Sequence, residues 1–346
     1  MSGKRHHFVP QFIQRGFASH ISADRALTWV YRKGKTPFGT NIINVGIEKD
    51  FYMHKGHSQI DDAITEAEGR FGSLLNTLRN SAAQRLENRH EIAQLIAHLE
   101  TRNRHLRENF TDIAGMMMSQ WIHFASDPNQ LASLLDRQIV DRPDVLQKIV
   151  SEELQKSGLP SQLAPQLLKR MKDQVPIVFS QELSMLAESF DHLQNKLPNA
   201  IKKIARAGQL RSLSQSIYPQ KRVELYRELH YQLIDVTGPL PLGDSIVVFH
   251  VEDANGFKSF TQADDLLLAV VLPITPTRLL CGSRRDYILD SGTISTTLIQ
   301  CSLEYFIANA RSPEFEALQL RIGETAALKS TDEIKEIMME AINRDS

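Results

Sequence analysis

Cysteine is nearly missing from this chain: Cys281 and Cys301 are two thiols in 346 residues. So few, so far apart in sequence, exclude a disulfide framework and a cysteine-based zinc site. Long hydrophobic runs are missing too. The most apolar stretch, residues 266–274, falls far below the roughly 18 residues that span a bilayer, which excludes a membrane partner. Neither sign of charge dominates, because 40 Lys and Arg face 41 Asp and Glu for a net charge of −1. No global field therefore draws the chain to nucleic acid or an anionic membrane, and any basic surface must be local. The opening residues carry charge with no apolar segment after them, unlike a secretory signal. These absences together predict a cytoplasmic protein. A glycine-rich phosphate loop is also lacking, and Gly243-Asp244-Ser245 has no resemblance to a nucleophile elbow. The sequence therefore names no cofactor.

What is present is an ordinary globular balance, 42% hydrophobic and 23% charged, able to bury a core. The expected fold class is α+β and predominantly helical, a central multi-helix region flanked by small β-rich segments at both ends. Three regions follow: 1–57 with short strands, 58–217 helical, and 218–346 β-rich and then helical, with the last free to pack with the first as one domain. Strands are expected at 26–32, 41–45 and 51–54, and again at 228–236, 245–251, 266–272 and 277–282. Apolar spacing predicts a helix over 58–79 and a long one over 91–125, which if unbroken would run about 50 Å. Proline then punctuates helices at 129–140, 143–156, 161–173, 179–196 and from 199. Two further helices are expected at 293–310 and 332–343. Helix should exceed strand by at least about two to one.

The most distinctive stretch is Arg5-His6-His7-Phe8-Val9-Pro10-Gln11-Phe12-Ile13-Gln14-Arg15-Gly16-Phe17. Pro10 is placed to open a short helix, since a first turn does not use its missing N–H. Adjacent histidines on an extended chain point to opposite sides. One could enter a site while the other hydrogen-bonds the scaffold. Imidazole is the common general base and metal ligand near neutral pH, and the same pair would serve equally as a buried structural unit.

His6, His7, Val9, Pro10 and Phe17 match an opening of the form His-His-x-Val-Pro-x-x-x-Leu-x-x-Phe. The chain thereby resembles a mainly bacterial family of uncharacterised proteins, domain of unknown function 4238. Trp29-Val30-Tyr31, Glu48-Lys49-Asp50-Phe51-Tyr52, Arg102 with Arg104, Gly243-Asp244-Ser245 and Leu272-Pro273-Ile274-Thr275-Pro276 look like later landmarks of that family. The likeness runs nearly end to end, and one departure matters. Where the family often shows Asp-Asn-Pro or Asp-x-Pro, this chain has Asp244-Ser245-Ile246, which weakens a role for Asp244. The resemblance implies no particular mechanism.

Two function classes stay open. In the first, the chain is a metal-dependent phosphodiesterase or nuclease-like effector, of use in bacterial defence. His6, His7, Asp50 and Asp244 would be catalytic, and Arg15, Arg102 and Arg104 would contact phosphate. A divalent metal would sit on His6, His7, His54 and His57, the last two at His-x-x-His spacing. Nucleic acid is the partner this implies. In the second, the chain is a non-enzymatic binding or regulatory module, and the His-His-x-Val-Pro segment is a structural lock. The helical region would then meet a partner protein or a second copy. Arg102-Asn103-Arg104-His105-Leu106-Arg107 also reads as a solvated face relieved by Glu100 and Glu108. Met116-Met117-Met118 near Trp121 reads as packing surface.

Overall fold

The computed structural model describes residues 5–22, 25–49, 58–125, 127, 143–169, 197–252, 256–262 and 265–326. The chain forms two compact units, Met1–Asn109 with Ala205–Leu328, and Phe110–Ile204 with Lys329–Ser346. In chain order, β1 (Arg5–His7) leads through α1 (Gln11–Gln14) and a 3-10 turn (Arg15–Phe17) to β2 (His20–Ser22) and β3 (Arg25–Arg32). Next come β4 (Phe38–Asn41), β5 (Ile47–Lys49), α2 (Ser58–Asn80), β6 (Arg85–Leu86), α3 (Arg89–Arg102) and α4 (Arg104–Ala125). The second unit is helical among the described residues: the later turns of α4, then α5 (Pro143–Lys156), then the start of α6 (Leu197–Gln215). Among its described residues Ile122, Val150, Leu154 and Ile201 are buried and apolar.

The described residues from Ala205 onward belong to the first unit. It contains α7 (Gln220–Arg227), β7 (His230–Asp235), β8 (Leu242–Gly243), β9 (Val248–Val251), β10 (Phe257–Lys258), β11 (Leu267–Thr275) and β12 (Arg278–Ser283). After these come α8 (Ile294–Gln300), β13 (Tyr305–Ala308) and α9 (Pro313–Leu318). The strands build three antiparallel sheets: a six-stranded one ordered β10-β9-β11-β12-β7-β6, a five-stranded one running β2-β3-β13-β8 with β4 on β3, and the β1–β5 pair. β11 is an unbroken apolar strand because the sheet buries it on both faces. By contrast β3 alternates buried and exposed residues through most of its length, as a half-buried strand should.

Helix makes up about 48% and strand about 22%, so the expected excess of about two to one holds. The picture of a predominantly helical chain with small β ends does not. Its correction comes from long-range pairing. Strand β3 lies beside β13, with Trp29 opposite Ala308 and Arg32 opposite Tyr305, which joins the two β-rich ends in one sheet.

Three local expectations also change. Residues 41–45 are not a strand, because the Asn41 side chain accepts from the Ile43 amide at 3.2 Å and opens a 3-10 turn. Residues 293–310 are not one helix. Helix α8 stops at Gln300, and the amides of Leu303 and Glu304 turn onto the Asp244 carboxylate at 2.7 and 2.9 Å before β13 begins. The long helix over 91–125 breaks at Asn103, whose backbone is extended (φ −60°, ψ 125°). Its side-chain oxygen accepts from the His105 amide at 2.8 Å, capping α4. Its side-chain nitrogen donates to the carbonyls of Ser245 and Ser259 at 3.2 and 3.0 Å. Expected segments at 51–54, 129–140, 179–196 and 332–343 lie outside the described residues, as does the end of the one at 161–173. Among the described residues no helix is long and apolar enough to cross a membrane.

Candidate functional site

The opening segment is held by its own backbone and by side chains from distant elements. The amides of Phe8 and Val9 both reach the Gly46 carbonyl, at 2.7 and 3.3 Å. Gly46 sits at φ 66°, and an added Cβ would press on Val9, so this turn requires glycine. Gln14 is fully buried and donates to Val9 and Val45 carbonyls at 2.7 and 3.1 Å. Arg79 of α2 donates to the carbonyls of Phe12, Ile13 and Ile274, at 3.0, 3.0 and 2.9 Å. Ile13 and Phe17 have no exposed surface. The segment is anchored, because so short an amphipathic turn persists only by burying its apolar face.

His7 Nδ1 lies 3.1 Å from the Val45 carbonyl, so this nitrogen carries the proton. Its Nε2 is then the acceptor for the Gln11 amide at 3.0 Å. His6 is buried and stands opposite Glu48 in the β1–β5 pair. Beneath them lies Arg102, at 1% exposure the largest fully buried side chain described. Its guanidinium donates to the His7 carbonyl and pairs with Glu68 of α2. It also approaches His98 Nε2 at 3.4 Å. His98 Nδ1 donates to the Ile217 carbonyl at 3.1 Å, which leaves Nε2 as acceptor toward Arg102. Burial, with the Arg102 charge beside it, pushes His98 down to about 3, so the ring is neutral at physiological pH.

Past Asn103 the polar residues continue along α4. Arg104 reaches Glu304 at 3.0 Å and Glu108 at 3.2 Å, and lies 5.7 Å from the Phe8 ring centre. Burial works against the Arg104 charge, but Glu304 and Glu108 outweigh it and hold its pKa above the ordinary value. Arg107 pairs with Glu48 at 2.5 Å and Glu108 at 3.2 Å. His105 Nε2 donates to the Cys301 carbonyl at 3.0 Å and is 3.7 Å from the Asp244 carboxylate. Burial lowers His105 to about 3 and raises Asp244 to about 7, although backbone amides favour the Asp244 charge. Asp244 therefore acts on backbone amides of the turn before β13.

Of the residues singled out in the sequence, His6, His7, Arg102 and Arg104 come together where β1 meets the α3–α4 junction. Asp244 reaches the same junction through His105 and the Glu304 amide. Arg15 is exposed on the 3-10 turn after α1. Asp50, His54 and His57 lie outside the described residues. Among the described residues no group of three or more His, Cys, Asp or Glu could hold a metal. Sequence pattern gives no sign of Glu68 and little of His98, and the solvated face expected over 102–107 is instead largely buried, with Arg102, Asn103, His105 and Arg107 all inside. One signal was available: His98 and Arg102 fall with Leu95 and Leu99 on the apolar stripe of α3, where a charged side chain needs a buried partner.

A family model described as "Protein of unknown function (DUF4238)" matches residues 5–292. The chain belongs to this family. The DUF4238 match covers β1, the α3–α4 junction and Asp244, and ends before Cys301 and Glu304. No curated protein and no solved structure matches the chain.

Proposed function

We propose that this chain is a non-enzymatic binding or regulatory module in which the His-His-x-Val-Pro segment is a structural lock. The observation that carries the proposal is the commitment of Arg102. Its buried guanidinium ties the His7 carbonyl to Glu68 and His98, and so fastens β1 to α2 and α3. A catalytic reading needs His7 and Arg102 turned toward substrate. His7 instead has both ring nitrogens engaged with protein groups, and Arg102, Arg104 and Arg107 each face a carboxylate. Phosphate would have to displace those carboxylates.

The test compares wild type with His6→Ala and His7→Ala. Single- and double-stranded DNA and RNA are offered at low salt with Mg²⁺, Mn²⁺ or Zn²⁺, and each variant is melted in parallel. The lock predicts no cleavage by any variant, and a loss of roughly 1–3 kcal/mol in His7→Ala from stranded buried partners. Metal-dependent cleavage that disappears in His7→Ala, with the melting temperature nearly unmoved, would overturn the lock and favour the phosphodiesterase.

A further inference from the structure

At the other end of α3 from the lock, one edge of the six-stranded sheet opens into a pocket of about 610 Å³. Strand β6 pairs with β7 there, setting Arg85 opposite Gln232, while His230 stands opposite Ser283 of β12. Directly opposed residues share a sheet face. Arg85, Gln232 and His230 therefore line the same wall. Arg89, the first residue of α3, forms the next wall, and the turn after β12 supplies Arg284 and Arg285. Four arginines and one histidine thus face a single carboxylate, Asp286, in a chain whose net charge is −1.

The arrangement is held in place by neutral contacts. Arg89 donates to His230 Nδ1 at 2.8 Å, and Arg284 to the Leu267 carbonyl at 2.6 Å. Among the described residues none of the four arginines forms an ion pair with a carboxylate. That contrasts with the α3–α4 junction, where each arginine is neutralised. The turn that carries Arg284 and Arg285 holds Asp286 at φ 67°, a left-handed conformation few non-glycine residues adopt. The first residue of α3 also brings the positive end of its helix dipole to the wall, and Asn88 does not cap that end with its side chain.

We infer that this pocket binds the polyphosphate of a small molecule, such as a nucleoside triphosphate. Uncompensated guanidiniums around one concavity are matched by an anion with several oxygens, each able to accept a pair of N–H donors. The volume lies within the roughly 300–1,000 Å³ of sites that enclose small ligands. The half-buried Tyr287 beside the arginines offers a ring for the rest of the ligand. The lock reading neither requires this pocket nor fails with it. Helix α3 spans 14 residues, so its two ends are roughly 20 Å apart.

The experiment titrates the full chain by calorimetry at low salt with ATP, tripolyphosphate, AMP and a 12-nucleotide single strand. Wild type is compared with Arg85→Gln/Arg285→Gln and with Arg25→Gln as an exposed control away from the pocket. ATP and tripolyphosphate should bind and AMP should bind more weakly. Both interactions should fall at least about tenfold in the double variant and weaken as salt rises. The control should match wild type. Lack of ATP and tripolyphosphate binding, or binding equal in the double variant, would overturn the inference. So would binding confined to the oligonucleotide, which would point to a strand instead. Melting curves of the double variant, expected to match wild type because Arg85 and Arg285 are exposed, separate a lost site from a lost fold.

Discussion

The buried guanidinium of Arg102 donates to the backbone carbonyl of His7, joining residues 95 positions apart in the chain. A main-chain acceptor fixes where β1 lies whatever side chain sits at position 7. Glu68 supplies the balancing charge and His98 Nε2 a further acceptor.

Replacing Arg102 with Met keeps much of the volume and removes every donor. The His7 carbonyl then loses this buried donor, while the Glu68 carboxylate, 30% exposed, turns to water. Leaving buried acceptors unsatisfied costs about 1–3 kcal/mol, so urea unfolding of Arg102→Met should show a loss of that order. A loss below roughly 1 kcal/mol would mean that the pair contributes little to the fold.

Asn103 makes a second, separable prediction. Its side chain caps α4 and satisfies two buried carbonyls of the 245–259 segment. Asn103→Ala should therefore destabilise by roughly 1–3 kcal/mol, combining a lost cap with two unsatisfied acceptors. Asn103→Ser keeps a neutral acceptor for the cap but loses the amide donors, and should recover only part of the loss. Equal stability of the two variants would show that the cap is irrelevant.

Local pattern made some of this legible. The helices over 58–80 and 143–156 and the strand over 25–32 were readable because periodicity, proline and β-branched residues agreed there. The break at Asn103 was not, since apolar spacing runs through it and the cause lies in Ser245 and Ser259. Strand β13 follows a helical pattern in sequence, and its pairing with β3 and β8 is what makes it a strand. The His-His pair and Arg102 stood out by composition, but their partners Glu68 and His98 each read as ordinary helix positions. The arginine pocket was invisible for the same reason: residues 85, 89, 284 and 285 look like solvated charges until the sheet brings them together.

Cys281 and Cys301 are both buried, and burial pushes each thiol up to about 12. Neither should react with a thiolate-selective reagent in the native protein at pH 8, and both should react fully in denaturant. The slow native rate then reports opening of the sheet core around Cys281. Rapid labelling of either thiol without denaturant would contradict the burial.

His98 gives a prediction whose sign can be worked out in advance. Its ring is lowered from 6.5 to about 3, first by burial and then by the Arg102 charge. Between those values the unfolded chain binds a proton at this site and the folded chain does not. Stability from His98 is therefore present above about pH 6.5 and is lost as pH falls toward 3. His98→Gln removes this linkage and retains a hydrogen-bonding side chain. The variant should be less stable than wild type at pH 7, because it fits Ile217 and Arg102 less well. The gap should close by about 1.4 kcal/mol for each pH unit below 6.5. Because the comparison is a difference between two chains, the titrations of Asp244, Glu100 and His105 largely cancel from it. Urea midpoints at pH 7, 6, 5 and 4 measure the slope. A gap constant across that range would place a proton on folded His98 and remove the neutral acceptor assigned to it beside Arg102.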